Sequence, residues 1–341
     1  MKKSILTVSS MILLVSFSVQ SQTVEPLKLI QTIPLPGLRD GDFDHLQVDL
    51  EGQRLFLAAE DNSAVEVVDL RTNALVHTIT GLKAPHSLAY NATLKKLFVV
   101  DGEAAEVKIY DGTSFKYLGA VPMQANCDSS IYDPATKYMY VVNGGKHAGE
   151  AYSLISIVDT TSDKKLGDIK IDGDNVQAMA LEKSGPRLFA NMYSKNAVAV
   201  IDRNKQTVIA TWSIAQEGHA NGPMALDEAG HRLFVVARYP GKIIVLDTDS
   251  GRIITTIPCV GQYFSDDAVY DTASKRLYVA GVPFLNVFQI RDGDRSYLLG
   301  QVPTAFHAVT AILIPQLSRY CVAVNHHGNT EAAIQIYEVV P

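Results

Sequence analysis

DSSIYDPATKYMYVVNGGKHAGEAYSLISIVDTTSDKKLGDIKIDGDNV, residues 128–176, reads as four short strands. Its apolar runs are four to six residues long and rich in Val, Ile and Tyr. Asp-Pro, Asn-Gly-Gly and Thr-Ser-Asp turns separate them. Four strands joined by tight turns form one antiparallel sheet with two apolar faces. Alone, such a sheet buries neither face, so it needs copies of itself.

The copies are in the chain. Aligning the second strand of each unit gives Leu55-Phe-Leu-Ala, Leu97-Phe-Val-Val, Met139-Tyr-Val-Val, Leu188-Phe-Ala-Asn, Leu233-Phe-Val-Val, Leu277-Tyr-Val-Ala and Tyr320-Cys-Val-Ala. The steps between these anchors are 42, 42, 49, 45, 44 and 43 residues. The third strand repeats too, ending at Asp69, Asp202 and Asp247. A polar turn residue recurs six positions before the anchor: Asp49, Asn91, Asp133, Glu182, Asp227 and Asp271. Seven four-stranded units at this period predict an all-β, seven-bladed β-propeller of four-stranded antiparallel blades. The seventh unit holds only three strands, and residues 27–35 (LKLIQTIPL) resemble an outer strand with no inner strands before it. The N-terminal strand is therefore expected to complete the last blade, closing the ring and removing exposed edges.

Tyr140-Val141-Val142-Asn143 stands where the YVTN-repeat (YncE-like) seven-bladed propellers of bacteria carry Tyr-Val-Thr-Asn, with Val for Thr. The chain resembles that family over about residues 27–341. The resemblance implies the propeller fold and a surface-layer or periplasmic setting. Some members bind single-stranded DNA, and related propellers include lactonases and lyases.

Met1-Lys2-Lys3 is a basic head, and residues 5–19 are apolar but short for a bilayer span. Val19-Gln20-Ser21 puts small residues at the cleavage positions. Residues 1–21 thus read as a secretory signal peptide, with residues 22–341 a single propeller domain that is periplasmic or secreted and has no membrane span after cleavage. Removing Lys2 and Lys3 from the 30 basic residues leaves 28 against 36 acidic, a formal charge of −8. Phosphate recognition needs clustered Lys and Arg, so nucleic acid is not an expected partner. Lys95-Lys96 and Lys164-Lys165 read as solvated turns. The three cysteines fall in different blades, and none forms part of a haem-attachment motif; they read as small buried hydrophobes.

Chemistry in a propeller belongs at the mouth of its central channel, where equivalent positions form a ring. Eleven residues before each anchor stand Asp44, His86, Asp128, Gln177, Gly222, Asp266 and Val309; the next positions hold His45, Ser87, Ser129, Ala178, Pro223, Asp267 and Thr310. His307 lies two positions before its ring member. Asp44, His45, His86, Asp128, Gln177, Asp266, Asp267 and His307 are the candidate ligand-binding residues, around one end of the channel, with His86 and Asp128 at its centre. Imidazole and carboxylate suit a divalent metal, for which His86 and Asp128 are the candidates, or an acid–base pair. The same groups equally suit ordered water or strand capping.

Other motifs carry less. Residues 144–149 lack the spacing of a phosphate loop and read as a long hairpin loop. Residues 292–294 lack the further ligands of a calcium loop. His326-His327 read as surface histidines, and Arg238 and Trp212 suit either a ligand face or packing. Two functions stay open: a binding or scaffold propeller holding a small molecule or protein partner, and a metal-assisted hydrolase or lyase. The sequence sets neither the ligand nor the oligomeric state.

Overall fold

The computed structural model describes residues 25–259, 264–292 and 295–341. The signal-peptide reading at residues 1–21, Tyr263 and the turn at residues 293–294 lie outside them.

Seven four-stranded antiparallel sheets follow one another along the chain. They occupy residues 46–79, 85–122, 130–171, 176–213, 219–258, 268–303 and 311–339. In each of the first six, strand order in space is chain order, from the channel outward. Each first strand lies against the first strand of the next blade, and the seventh lies against the first, so the ring is closed.

Burial follows the repeat. Seven apolar clusters fill the seven gaps between adjacent blades. The position after each anchor is a buried aromatic in six blades: Phe56, Phe98, Tyr140, Phe189, Phe234 and Tyr278. Each brings a large apolar area to the cluster beside it. The seventh blade has Cys321 there, buried like Cys127 and Cys259; all three thiols are free.

The recurring turn residue has a structural job. Asp49 accepts from Gly52 N and pairs with Arg54 at 2.5 Å. Glu182 pairs with Arg187 at 2.5 Å, and Asp227 pairs with Arg232 at 2.7 Å. In each case the partner is the residue just before the anchor, so the carboxylate ties both ends of one hairpin together. The lysine pairs depart from the turn assignment. Lys96 opens the strand Lys96–Asp101 and reaches Asp163 at 2.5 Å, while Lys164 and Lys165 open the strand Lys164–Ile171. Their stems lie along the sheet because the turn is completed one residue earlier, at Lys95 and Asp163, which take positive φ. Residues 144–149 form the expected hairpin loop, with a short 3-10 turn at Lys146–Ala148.

The last blade is built from both ends of the chain. Leu27–Pro34 pairs with Ala333–Val339, from Leu27 opposite Val339 to Pro34 opposite Ala333. Leu27 enters the cluster between blades six and seven, while Ile33 and Leu35 enter the one between blades seven and one. The strand therefore fastens both gaps that flank the seam. In all seven blades the outermost pair carries a register irregularity. Such bulges twist an exposed edge away from flat pairing with another sheet.

Candidate functional site

The ring positions are held by the backbone. Ala58, Val142, Ala280 and Ala323, each three residues past its anchor, donate N–H to the carbonyls of His45, Ser129, Asp267 and Thr310 at 2.9–3.1 Å. This repeated bond ties the start of the first strand to the second in the same way in these four blades. All seven residues eleven before an anchor accordingly line one cavity of about 260 Å³.

Five carboxylates face that cavity: Asp42, Asp44, Glu60, Asp128 and Asp266. His45, His86 and His307 stand among them, with Ser129 and Gln177; no lysine or arginine is in the lining. Asp267 is absent from that lining; it lines an adjoining cavity of about 630 Å³ together with His45, Gln177 and Asp266. Asp267 instead accepts from Ala311 N at 2.8 Å and meets His45 Nδ1 at 3.1 Å.

The groups form a chain across the axis. His45 lies between Asp267 and Asp44, whose Oδ1 is 3.4 Å from its Nε2. The other Asp44 oxygen is 2.8 Å from His86 Nδ1. Glu60 Oε2 lies 3.8 Å and Asp128 Oδ1 4.0 Å from that same nitrogen. The opposite edge of the ring lies against Gly102, where a Cβ would stand 2.6 Å from His86 Nε2. His86 is thus backed by a glycine and turned so that Nδ1 meets three carboxylates from three loops. His86 and Asp128 were expected at the centre; the tight group is Asp44, Glu60 and His86, with Asp128 beside it.

Burial opposes charge on His86, but Asp44, Asp128 and Glu60 outweigh it and push the imidazole up to about 9. Burial likewise works against His45, and Asp44 and Asp267 overcome it, holding that ring well above the usual range. Burial raises Glu60 to about 7, aided by Asp44, Asp61 and Asp128. Asp266 is raised by burial to about 6, against the opposing charge of Arg238. Asp128 is raised by burial and by Asp44. Burial would raise Asp44 as well, but the two histidines bring it below the ordinary carboxylate range. His45, His86 and Arg238 thus offset part of the acidity of the mouth.

Its rim is aromatic on one side. The Phe264 ring lies 5.4 Å from His307, His307 stacks on Phe306 at 4.2 Å, and Phe306 stacks on His327 at 3.9 Å. Phe264 and Phe306 are about half exposed. His307 Nδ1 is 3.0 Å from Asp42 Oδ1, and His326 bonds Asp40. Gln177 reaches across to a side recess lined by Asn126, His147 and Asp174.

Sequence reasoning missed Glu60, Asp42 and the role of Arg238. A signal for two of them lay in the repeat. Five residues past each anchor stand Glu60, Gly102, Gly144, Tyr193, Arg238, Val282 and Asn325. That register holds Glu60 on the metal-type group, Gly102 behind His86, Arg238 at 2.9 Å from Asp266, and Asn325 bonded to Asp42. It is a second ring, carried by the ends of the second strands and the residues just after them.

Fold and site together define an all-β seven-bladed β-propeller with an acidic channel mouth. No protein-family model matches the chain. Over 129 residues it is 26% identical to the uncharacterized protein YncE of Salmonella typhi, and equally to that of Salmonella typhimurium strain LT2. The match covers 37% of this chain and 35% of those relatives, so the aligned stretch spans about a third of their length. In this sense the chain is YncE-like. In structure it is similar to a chain of Kuenenia stuttgartiensis hydrazine synthase, with a TM-score of 0.73, 18% identity, and 85% and 96% of the two chains covered. It is also similar to a chain of the mitotic checkpoint complex, with a TM-score of 0.74, 16% identity and full coverage of both. At these identities the likenesses concern the fold. Among the described residues, no helix is long and apolar enough to cross a membrane.

Proposed function

We propose that this protein is an exported binding propeller, periplasmic or secreted, whose channel mouth captures a small ligand bearing positive charge. One observation carries the reading: five carboxylates, from four segments of the chain, line a single cavity whose lining has no lysine or arginine among the described residues. Such a mouth attracts cations and repels anions, because low-dielectric walls concentrate the field of the lining charges. The half-exposed Phe264 on its rim adds a ring face, which suits an ammonium group within about 6 Å of a ring centre. Export rests on the basic head and short apolar core of residues 1–21. The acid–base form of the hydrolase or lyase reading has less support, since both His86 edges are taken: Nδ1 by Asp44 and Nε2 by the Gly102 wall.

The test is titration of the metal-free protein with putrescine and spermidine as cationic probes and succinate as the anionic control, read by calorimetry. Saturable amine binding that is lost in Asp128→Asn/Asp266→Asn is expected. Succinate binding with no amine binding overturns the reading.

A further inference from the structure

Three carboxylates converge on one imidazole nitrogen at the mouth, and among the described residues Asp44, Glu60 and Asp128 form ion pairs with His45 and His86 and with no lysine or arginine. One ligand atom each from Asp44, Glu60 and His86 lie within 4.8 Å of one another. This is the spread that a first-row divalent ion, bonding nitrogen and oxygen at about 2.0–2.2 Å, draws together. We propose that Asp44, Glu60 and His86, with Asp128 as a fourth donor from the neighbouring blade, bind one divalent metal ion of the Mn²⁺ or Zn²⁺ kind. The proposal deepens the cation-site reading above by naming the cation.

The surroundings of these donors are built for ligation, and that is an observation separate from the cluster. Metal-binding imidazoles and carboxylates need outer partners that fix their direction. His86 is oriented by the Gly102 wall, which leaves only Nδ1 facing the cavity. Asp44 has its second oxygen beside His45, which Asp267 in turn holds, and Asp267 accepts from Ala311 N. Glu60 sits on the 3-10 turn Glu60–Asn62. That turn is tied down by Asp61 accepting from Asp42 N at 2.8 Å, by Asn62 Oδ1 accepting from Arg39 N at 2.9 Å, and by Arg39 donating to Asp61 O at 3.0 Å. Asp44 and His86 already meet at 2.8 Å, so an ion between them would replace that hydrogen bond. One nitrogen with several carboxylate oxygens is a mixed donor set. It favours ions that accept imidazole over Ca²⁺ and Mg²⁺, which prefer all-oxygen cages.

The test uses the full-length mature protein stripped with chelator and then titrated with Mn²⁺, Zn²⁺ or Ca²⁺ alone. Bound metal is measured by calorimetry and by elemental analysis after gel filtration. Co²⁺ is added as a spectroscopic probe of nitrogen and oxygen ligation. One tightly held Mn²⁺ or Zn²⁺ per chain, with Ca²⁺ weaker, is the expected result. Glu60→Gln and His86→Ala should each weaken binding by at least about tenfold. Asp292→Asn, a 91% exposed carboxylate away from the mouth, should change it less than about twofold, as a distant independent site does. Glu60 lies on a surface turn, so Glu60→Gln keeps the test open if His86→Ala fails to fold. The proposal is overturned if no stoichiometric ion is retained, if Glu60→Gln binds as the parent does, or if Asp292→Asn loses as much as Glu60→Gln. In each of those cases, amine binding by the same metal-free protein still stands as support for the broader reading.

Discussion

Replacing Ile33 by Ala tests how the ring is shut. Ile33 lies on the N-terminal strand, has no exposed surface, and packs in the cluster between blades seven and one. A large-to-small change at a buried aliphatic costs ~2–5 kcal/mol, through lost transfer energy and the cavity left behind. Leu29, on the same strand, is 47% exposed, and Leu29→Ala should stay within about 0.5 kcal/mol of the parent. Deleting the strand through Leu35 removes Leu27, Ile33 and Leu35, each worth ~1.5–3 kcal/mol, or about 4.5–9 kcal/mol together. That rivals the whole stability of a typical domain, ~5–15 kcal/mol, so the truncated chain should aggregate or unfold. Urea unfolding of the two point variants, with slopes held equal to the parent's, gives the comparison. If Leu29→Ala costs more than Ile33→Ala, the pairing with Ala333–Val339 is one residue out of register, because a slip of one exchanges the two faces of a strand.

Glu60→Gln should separate two pH regimes in the metal-free protein. The carboxyl is raised from its unfolded value near 4.5 to about 7, so the folded state holds its proton through that window and stability falls as pH climbs across it. Gln carries no charge, so the variant should melt like the parent at pH 4.5 and higher than the parent above pH 7; equal melting at pH 8 refutes the assignment. His86, raised to about 9, contributes stability that is complete below its unfolded value near 6.5 and is lost as pH rises through 9, so His86→Gln should flatten the pH 7–9 limb of the melting curve. The three buried thiols, each pushed up to about 12, should all resist a thiol reagent in the native protein and all react after denaturation; a fast native reaction at any of them contradicts their burial. Single-stranded DNA should bind at best weakly at physiological salt, given the formal charge of −6 and the acidic mouth, although exposed Tyr239 could stack a base; tight, steeply salt-dependent binding in a fluorescence titration would reveal a basic patch.

The fold was legible because a propeller writes itself into the sequence seven times. Each anchor, the polar residue six before it and the aromatic after it carry a local meaning, as turn, hairpin tie and interblade packing. The upper ring was legible for the same reason: once the anchors are aligned, Asp44, His86, Asp128, Gln177 and Asp266 fall into one register. Glu60 escaped because it sits outside the strands, on a 3-10 turn after the second strand, where a lone acid looks like any solvated loop residue. Only closure of the ring brings it to His86. Asp267 falls in the next register and meets the group through His45.

The seam between Leu27–Pro34 and Ala333–Val339 also sets an order in time. Every other strand pair joins neighbours in the chain and can form as soon as both are present. This pair joins segments some 300 residues apart, so it bears the largest loop-closure cost and should come last. Until then Leu27, Ile33 and Leu35 wait without their partners, a sticky segment at the head of an otherwise folded chain. His45 and Asp267 are 222 residues apart and meet across the blades that this joint brings together. Six finished blades therefore still lack a complete mouth, and whatever binds there can recognise only a molecule that has finished folding.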